Sequence, residues 1–330
     1  MRAVFYERKG PAREVLQLGE RPVPEPAAGE VRVRIHVSAV NPSDTKSRGG
    51  HRGNVAMPFP VVIPHQDGAG VIDAVGPGVD PARIGQRVWV YEANLGRPFG
   101  TCAEFTTVPE HKAVPLPDAA DFAAGACMGI PAMTAHRCVM ADGPVTGQTV
   151  LVHGGAGAVG FYAVQIARLG GARVIATVSR EEQARQARLA GADHVVDYRR
   201  EDLASRVREI TGEDLGVDRV VDVAFGINLA ANMAVLRTGG VIATYASDAV
   251  PEPEIPFWPM LARDLTVRFV LVYAMPRAAH DQAAAFITDA LAGGRFVHQV
   301  FARFPLEDTA AAHEATESMR NVGKVLVDIA

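Results

Sequence analysis

Thr149-Val150-Leu151-Val152-His153 runs without a break into Gly154-Gly155-Ala156-Gly157-Ala158-Val159-Gly160, and then into Phe161-Tyr162-Ala163-Val164-Gln165-Ile166-Ala167-Arg168. The first segment is a short apolar run of strand type, and the third has helical spacing. Between them Gly155, Gly157 and Gly160 fit the pattern G-x-G-x-x-G. Each glycine answers a separate need: a tight turn, close approach of backbone N–H groups to a pyrophosphate, and close packing of helix on strand. The helix start then offers unpaired amides and the positive end of a dipole to the phosphates. Strand, turn and helix in this order predict a dinucleotide site made from Gly155, Ala156, Gly157, Ala158, Val159 and Gly160.

The surrounding sequence places this turn in an α/β domain. From Gly147 to about Val272, apolar runs alternate with helical stretches: Thr149–His153, Gly157–Gly170, Arg173–Val178, Glu181–Ala190, His194–Asp197, Leu203–Thr211, Arg219–Val223, Leu229–Leu236 and Val241–Tyr245. Such alternation predicts a doubly wound parallel sheet with helices on both faces. The first 120 residues differ, being rich in Pro and Gly with short β-branched runs such as Val31–Val37, Gly70–Ile72 and Arg87–Val90, which predict a compact β-rich domain. An Ala-rich helical texture begins near Phe122. In the tail, a helix Asp281–Leu291 precedes Val297–Phe304, a helix Leu306–Met319 and a last run Lys324–Ile329, and these short strands are expected to return to the β-rich domain. The expected domains are residues 1–122 with 296–330, and residues 123–295.

The strand Arg173–Val178 decides which dinucleotide is preferred. An NAD site calls for Asp or Glu at its end to accept from the adenosine ribose 2′-hydroxyl. Here the strand ends Thr177-Val178-Ser179-Arg180. A hydroxyl and a guanidinium suit a 2′-phosphate, which a carboxylate would repel, so the residues favour NADPH, although Glu181 and Glu182 make the local charge mixed.

Bulk properties narrow the field further. At 330 residues the chain is long enough for two cores. Hydrophobic residues make up 48% and charged residues 21%, so folding throughout is expected. The net charge is −4 and no basic stripe is legible, which argues against nucleic acid as a main partner. No apolar run approaches the ~20 residues that span a bilayer, and the polar opening Met1–Glu7 does not read as a signal peptide, so a cytoplasmic protein is expected. Cys102, Cys127 and Cys138 are odd in number and form no Cys-x-x-Cys pair, which predicts reduced, buried thiols and no structural zinc lobe.

Several further motifs stand in register along the chain: Glu14-Val15-Leu16, Val40-Asn41-Pro42-Ser43-Asp44, Asp67-Gly68-Ala69-Gly70-Val71-Ile72-Asp73-Ala74-Val75-Gly76, Gly85-Gln86-Arg87-Val88, Gly129-Ile130-Pro131-Ala132-Met133-Thr134-Ala135, Ala190-Gly191-Ala192-Asp193 and Gly323-Lys324. With the glycine turn, they make the whole chain resemble the quinone oxidoreductase, or zeta-crystallin, branch of the medium-chain dehydrogenase/reductase superfamily. The resemblance implies a GroES-like catalytic domain from both chain ends, a Rossmann domain between them, and a homodimer joined along the strand near Thr266–Val272. It also implies that Asn41, Ile130, Thr134 and the backbone at Val270, Leu271 and Val272 contact the nicotinamide half of the cofactor. Ser179, Arg180 and Tyr198 would lie around the adenosine phosphate, and Lys324 would belong to the cofactor site. A lysine frequent in that phosphate site is Gln183 here.

Zinc-dependent cousins carry Cys at Asn41 and His at Gln66, and neither Asn nor Gln is a useful zinc ligand. His65 reads as a hydrogen-bonded structural histidine, and no catalytic metal is expected. Without a Lewis acid, hydride transfer suits an acceptor that already holds charge well, a quinone or related conjugated carbonyl compound. Asn41, Lys46 and Tyr91 are the candidate donors to the developing oxyanion; Lys46 stands where relatives often have tyrosine. Asp44 reads as a structural carboxylate. Phe257, Trp258 and Met260, with Tyr273 and Met275, fit either a substrate pocket or a dimer contact. Reduction of an enal, enone or enoyl thioester is the alternative chemistry. A crystallin-like or RNA-binding NADPH protein is the non-enzymatic alternative, which the acidic charge disfavours.

Overall fold

The computed structural model describes residues 1–50, 56–212, 216–318 and 322–329. The chain forms two compact units, one of Met1–Ile130 with Ala284–Ala330 and one of Pro131–Ala283.

In the unit Pro131–Ala283, six strands lie parallel in the spatial order His194–Asp197, Arg173–Val178, Thr149–Val152, Val217–Asp222, Leu236–Thr244, Thr266–Phe269. Taken in chain order this is 3-2-1-4-5-6, the Rossmann arrangement, whose direction reverses beside the first strand. Helices on both faces explain why Thr149–Val152 is apolar throughout rather than alternating, since all four of its residues are buried. Leu151, Ile175, Val196, Val220 and Ile242 form its core. The fifth strand starts at Leu236, earlier than Val241, because the pair Gly239-Gly240 reads as a turn in sequence yet continues the strand here. Thr266–Phe269 is one edge of the sheet and His194–Asp197 the other.

The other unit is a mixed sheet built on the long strand Glu30–Val40, where buried and less buried residues alternate from Glu30 to His36. Around it the order is Val300–Pro305, Lys324–Asp328, Glu30–Val40, Asp67–Val75, Arg87–Val90, Ala113–Pro115, with Phe105–Pro109 also pairing Glu30–Arg34. The two C-terminal strands therefore complete the β-rich sheet, as their texture implied; the first of them begins at Val300, and Val297–Gln299 is not strand. Gly70 permits the central crossing, because a Cβ there would overlap the Arg34 backbone carbonyl. Helix Phe122–Ala126 packs on Asp67–Val75, which keeps the start of the Ala-rich stretch with the β-rich unit. Met319, the expected end of the last helix, lies outside the described residues.

His65 is buried at the centre of this unit in a left-handed backbone conformation, φ 79°. Its Nδ1 lies 2.8 Å from Ser38 Oγ and its Nε2 2.9 Å from His313 Nε2. Burial, with the neighbouring His313 and Lys324 charges, holds His65 well below the usual histidine range, and burial beside Arg48 takes His313 down to about 3. In the unfolded chain both would take a proton near pH 6.5. Between that value and about 3 the unfolded state binds more protons, so stability is present above pH 6.5 and is lost as pH falls. The expected slope is about 1.4 kcal/mol per pH unit for each histidine. Urea unfolding at pH 7, 6 and 5 checks this: His313→Gln should show a shallower loss, and equal slopes would refute the origin assigned.

Candidate functional site

The glycine turn is shaped by what its neighbours leave no room for. A Cβ on Gly155 would sit 2.6 Å from Ala176 Cβ, and one on Gly160 would overlap the Gly154 carbonyl oxygen. Gly154 itself has φ 64°, a conformation that favours glycine. Its carbonyl accepts from Gly157 N at 2.8 Å and closes the turn, while Gly155 N donates to Thr177 O at 3.1 Å. Helix Ala158–Leu169 starts immediately afterwards, so the first-turn amides at Ala158 and Val159 have no partner within the helix. A backbone concavity of this kind, with no side chain in it and a helix start at its rim, fits a pyrophosphate.

A buried brace stands under the turn. His153 Nδ1 is 3.1 Å from Thr177 Oγ1, which also accepts from Gly154 N at 3.2 Å. His153 Nε2 lies 2.8 Å from Asn232 Oδ1, and Asn232 Nδ2 donates to Asp222 Oδ2 at 2.6 Å. Burial lowers the His153 pKa, consistent with a neutral ring donating through one nitrogen and accepting through the other.

At the end of the second strand, the register pairs Asp197 with Val178, and Tyr198 N donates to Val178 O at 3.1 Å. Ser179 N and Oγ both donate to Gln183 Oε1, at 2.9 and 3.0 Å. Arg180 precedes helix Glu181–Leu189, with Nε 3.7 Å from Glu182. Its side chain is 40% exposed and Tyr198 is exposed, so this end of the site opens to solvent.

In the β-rich unit a second polar group is assembled from distant segments. Asn41, Asp44, Asp67 and Lys324 are all buried. Asn41 Nδ2 donates to Asp67 Oδ2 at 2.7 Å, and the Lys324 ammonium donates to Asn41 Oδ1. Lys324 Nζ is also 3.8 Å from Asp67 Oδ2. Ile130 N donates to both Asp67 oxygens at 3.0 Å, which needs Gly129: a Cβ there would come within 2.5 Å of Asp67 Cγ. The amide reaches inward because Met128–Ala132 is a π-helical turn containing Pro131. Asn41 N donates to Asp44 Oδ2 at 2.8 Å, fixing the start of helix Pro42–Gly49. Burial, then the nearby Asp67 charge, pushes the Asp44 carboxyl up to about 7. Burial also raises Asp67, to about 6, against the opposing pull of Lys324 and the amide donors.

Two family models match the chain: "Alcohol dehydrogenase GroES-like domain" over residues 27–118 and "Zinc-binding dehydrogenase" over residues 158–289. Human quinone oxidoreductase is 31% identical over 318 residues, covering 95% of this chain and 93% of the human protein. The chain belongs to the quinone oxidoreductase branch of the medium-chain dehydrogenase/reductase superfamily. Within it, a Burkholderia 2-haloacrylate reductase is 32% identical, with 99% of this chain and 98% of that protein covered. The structure of Escherichia coli quinone oxidoreductase complexed with NADPH superposes with a TM-score of 0.84 at 27% identity, covering 99% of this chain and 100% of the other.

This branch member is thus an oxidoreductase with a GroES-like unit and a Rossmann unit. The residues expected at its site fall into recognisable groups. Gly155–Gly160 form the turn, with Ser179, Arg180 and Tyr198 at the neighbouring strand ends. Thr134 is buried in helix Met133–Met140, and Val270 donates its N–H to Thr244 O at 2.8 Å. Val270 and Val272 are buried, whereas Leu271 is exposed. Asn41, Ile130 and Lys324 meet in the polar group. Tyr91 is buried, 5.9 Å from the Trp89 ring and with the Lys112 ammonium 6.0 Å from its ring centroid. Lys46 is half-buried in a small cavity with Pro42, Thr45, Thr316 and Glu317. Among the aromatic and Met residues, Met275 lines a cavity, Met260 is buried, and Phe257 and Trp258 are exposed.

Sequence reading passed over the His153–Asn232–Asp222 brace and the part played by Asp67. Each joins distant segments: His153 meets Asn232 across 79 positions and Asp67 meets Ile130 across 63. Among the described residues, no group of three or more His, Cys, Asp or Glu is placed to hold a metal, and no helix is long and apolar enough to cross a membrane. The three cysteines are buried thiols, and burial pushes Cys102 and Cys138 up to about 12.

Proposed function

We propose that this oxidoreductase uses NADPH, without zinc, to reduce a quinone or related conjugated carbonyl compound. The observation that carries the reading is the Lys324 ammonium donating to Asn41 Oδ1 while Asp67 accepts from Asn41 Nδ2. Asn41 Oδ1 and one Nδ2 hydrogen are engaged, which leaves the second Nδ2 hydrogen as a donor but no ligand atom, and a second cation beside that ammonium would be repelled, so the donor set does not suit Zn²⁺.

The bare glycine turn fits the pyrophosphate, and Ser179 with Arg180 suits a 2′-phosphate. When bound, NADPH supplies the hydride. The protein's own residues then orient and exclude water. Asn41, Lys46 and Tyr91 are the proposed donors toward the growing oxyanion, and Lys324 holds positive charge at Nζ beside Asn41. Thr134, Ile130 and the Val270–Val272 backbone would position the nicotinamide end. An acceptor that already delocalises negative charge needs no stronger polarisation.

Similarity to a 2-haloacrylate reductase supports a second reading, reduction of an activated C=C bond. The open edge strand Thr266–Phe269, with exposed Phe269 and Leu271 beside it, supports a homodimer formed along that edge.

Steady-state assays with NADPH and NADH against 1,4-benzoquinone, 9,10-phenanthrenequinone, 2-alkenals and crotonyl-CoA test the reading. Turnover of quinones with NADPH is expected. Arg180→Ala should raise the KM for NADPH roughly tenfold and change that for NADH far less, since the lost contact is made only with the 2′-phosphate. Equal effects on both cofactors reject the NADPH assignment; turnover of simple alcohols only, or activity restored by Zn²⁺ after chelation, rejects the metal-free scheme.

A further inference from the structure

The Rossmann unit contains a cavity of about 580 Å³ at the carboxyl ends of strands Leu236–Thr244 and Thr266–Phe269. This volume is in the range of small-molecule pockets, ~300–1,000 Å³, and in open α/β sheets the carboxyl ends of the strands are where ligands bind. Phe225, Ile255, Phe269, Leu271 and Met275 give it apolar walls. Its one charged lining residue among those described is Arg137, on helix Met133–Met140.

Arg137 is half-buried and, among the described residues, has no hydrogen-bond or ion-pair partner for its guanidinium. Asp142, the next acid along the chain, is engaged by both Arg219, at 2.9 Å, and Arg268. Among the described residues, no acid lines the cavity. A lone guanidinium among apolar walls is an incomplete pair, and it is completed best by a planar anion that accepts two parallel N–H bonds. One cation calls for one negative charge, so a carboxylate on an apolar body fits, whereas a polyphosphate would leave charge unmatched.

We propose that this cavity binds the substrate, and that the substrate is a conjugated carbonyl compound or alkene bearing a carboxylate held by Arg137. The inference rests on the reductase reading above and narrows it. Val270 and Leu271, which that reading places at the nicotinamide end, also line the cavity, so a ligand anchored on Arg137 lies beside the hydride donor.

The test compares two acceptors with the same reacting group, 4-carboxycinnamaldehyde and its methyl ester, with NADPH as donor. The acid is expected to have a kcat/KM at least tenfold above the ester. In Arg137→Gln the acid-to-ester ratio should fall about tenfold, and in Arg137→Lys, which keeps the charge but loses the fork, it should stay above one. An unchanged ratio in Arg137→Gln, or a wild type indifferent to the carboxylate, overturns the proposal while leaving the reductase reading standing. If neither aldehyde nor any quinone is turned over, the reductase reading fails, and calorimetric titration with 2-naphthoate and methyl 2-naphthoate judges the site alone. Tighter binding of the naphthoate, weakened about tenfold by Arg137→Gln, sustains a carboxylate site. Equal binding of acid and ester removes it.

Discussion

Gly160→Ala is expected to destabilise the Rossmann unit by about 3 kcal/mol and to weaken NADPH binding at least tenfold. The added methyl would overlap the Gly154 carbonyl oxygen and come within 2.9 Å of its carbon and 3.2 Å of Gly155 Cα. All three are backbone atoms, so no side chain can swing aside. Relief requires helix Ala158–Leu169 to draw back from the turn or the Gly154 peptide to rotate. Rotation would also disturb the Gly157 N–H bond to Gly154 O and the Gly155 N–H bond to Thr177 O. Either movement spreads the amides that are proposed to face the pyrophosphate, and fold stability and cofactor affinity should fall together. Gly157→Ala is the control for stability alone, because the nearest atom to its new methyl is Gly154 O at 3.3 Å, a contact that a small shift relieves, while the methyl still intrudes where the pyrophosphate is proposed to lie. Thermal unfolding and calorimetric titration with NADPH read the two effects. A Gly160→Ala protein with wild-type affinity and melting temperature would mean that the turn does not cradle the dinucleotide.

That turn was legible in sequence because every rule that shapes it is local. Strand periodicity placed Arg173–Val178 and His194–Asp197, and helical spacing placed Leu203–Thr211, with the bounds the structure has. Local rules misled where composition was ambiguous. Helix Arg277–Ala292 begins before Asp281 because its first turn is Ala-rich and carries little apolar contrast. The polar group of the GroES-like unit was half visible: Asn41 and Lys324 were marked by their motifs, but not that one donates to the other across 283 positions. Asp67 was read as part of a glycine-rich motif and as a neighbour of Gln66, the position of a zinc-ligand His in the zinc-dependent cousins. Nothing in its neighbourhood says that its carboxylate reaches a main-chain amide in a π-helical turn. Arg137 carries no sequence signal, since an arginine without a partner is indistinguishable in sequence from a paired one.

The largest loss from a single side chain is expected at Asp67. Its carboxylate accepts from Asn41 Nδ2 and Ile130 N and lies 3.8 Å from Lys324 Nζ, with essentially no solvent access. Asp67→Ala leaves a buried amide and a buried N–H without their acceptor, and a buried ammonium that keeps Asn41 Oδ1 but loses the Asp67 counter-charge. Breaking a buried ion pair from one side typically costs about 3–5 kcal/mol, mostly from the charge left behind. The double variant Asp67→Ala, Lys324→Met should therefore be more stable than Asp67→Ala alone, because it removes the stranded ammonium. Gly129→Ala attacks the same contact from the opposite side, driving a methyl to within 2.5 Å of Asp67 Cγ, and should reproduce much of the loss with every polar group still present. Urea unfolding of the three variants measures the stability terms, and KM and kcat show whether a displaced Asn41 slows turnover in the protein that remains folded. An Asp67→Ala protein within 1 kcal/mol of wild type, or a double variant less stable than the single, would mean that water replaces the carboxylate. In that case Asn41 and Lys324 would owe their positions to the strands that carry them rather than to Asp67.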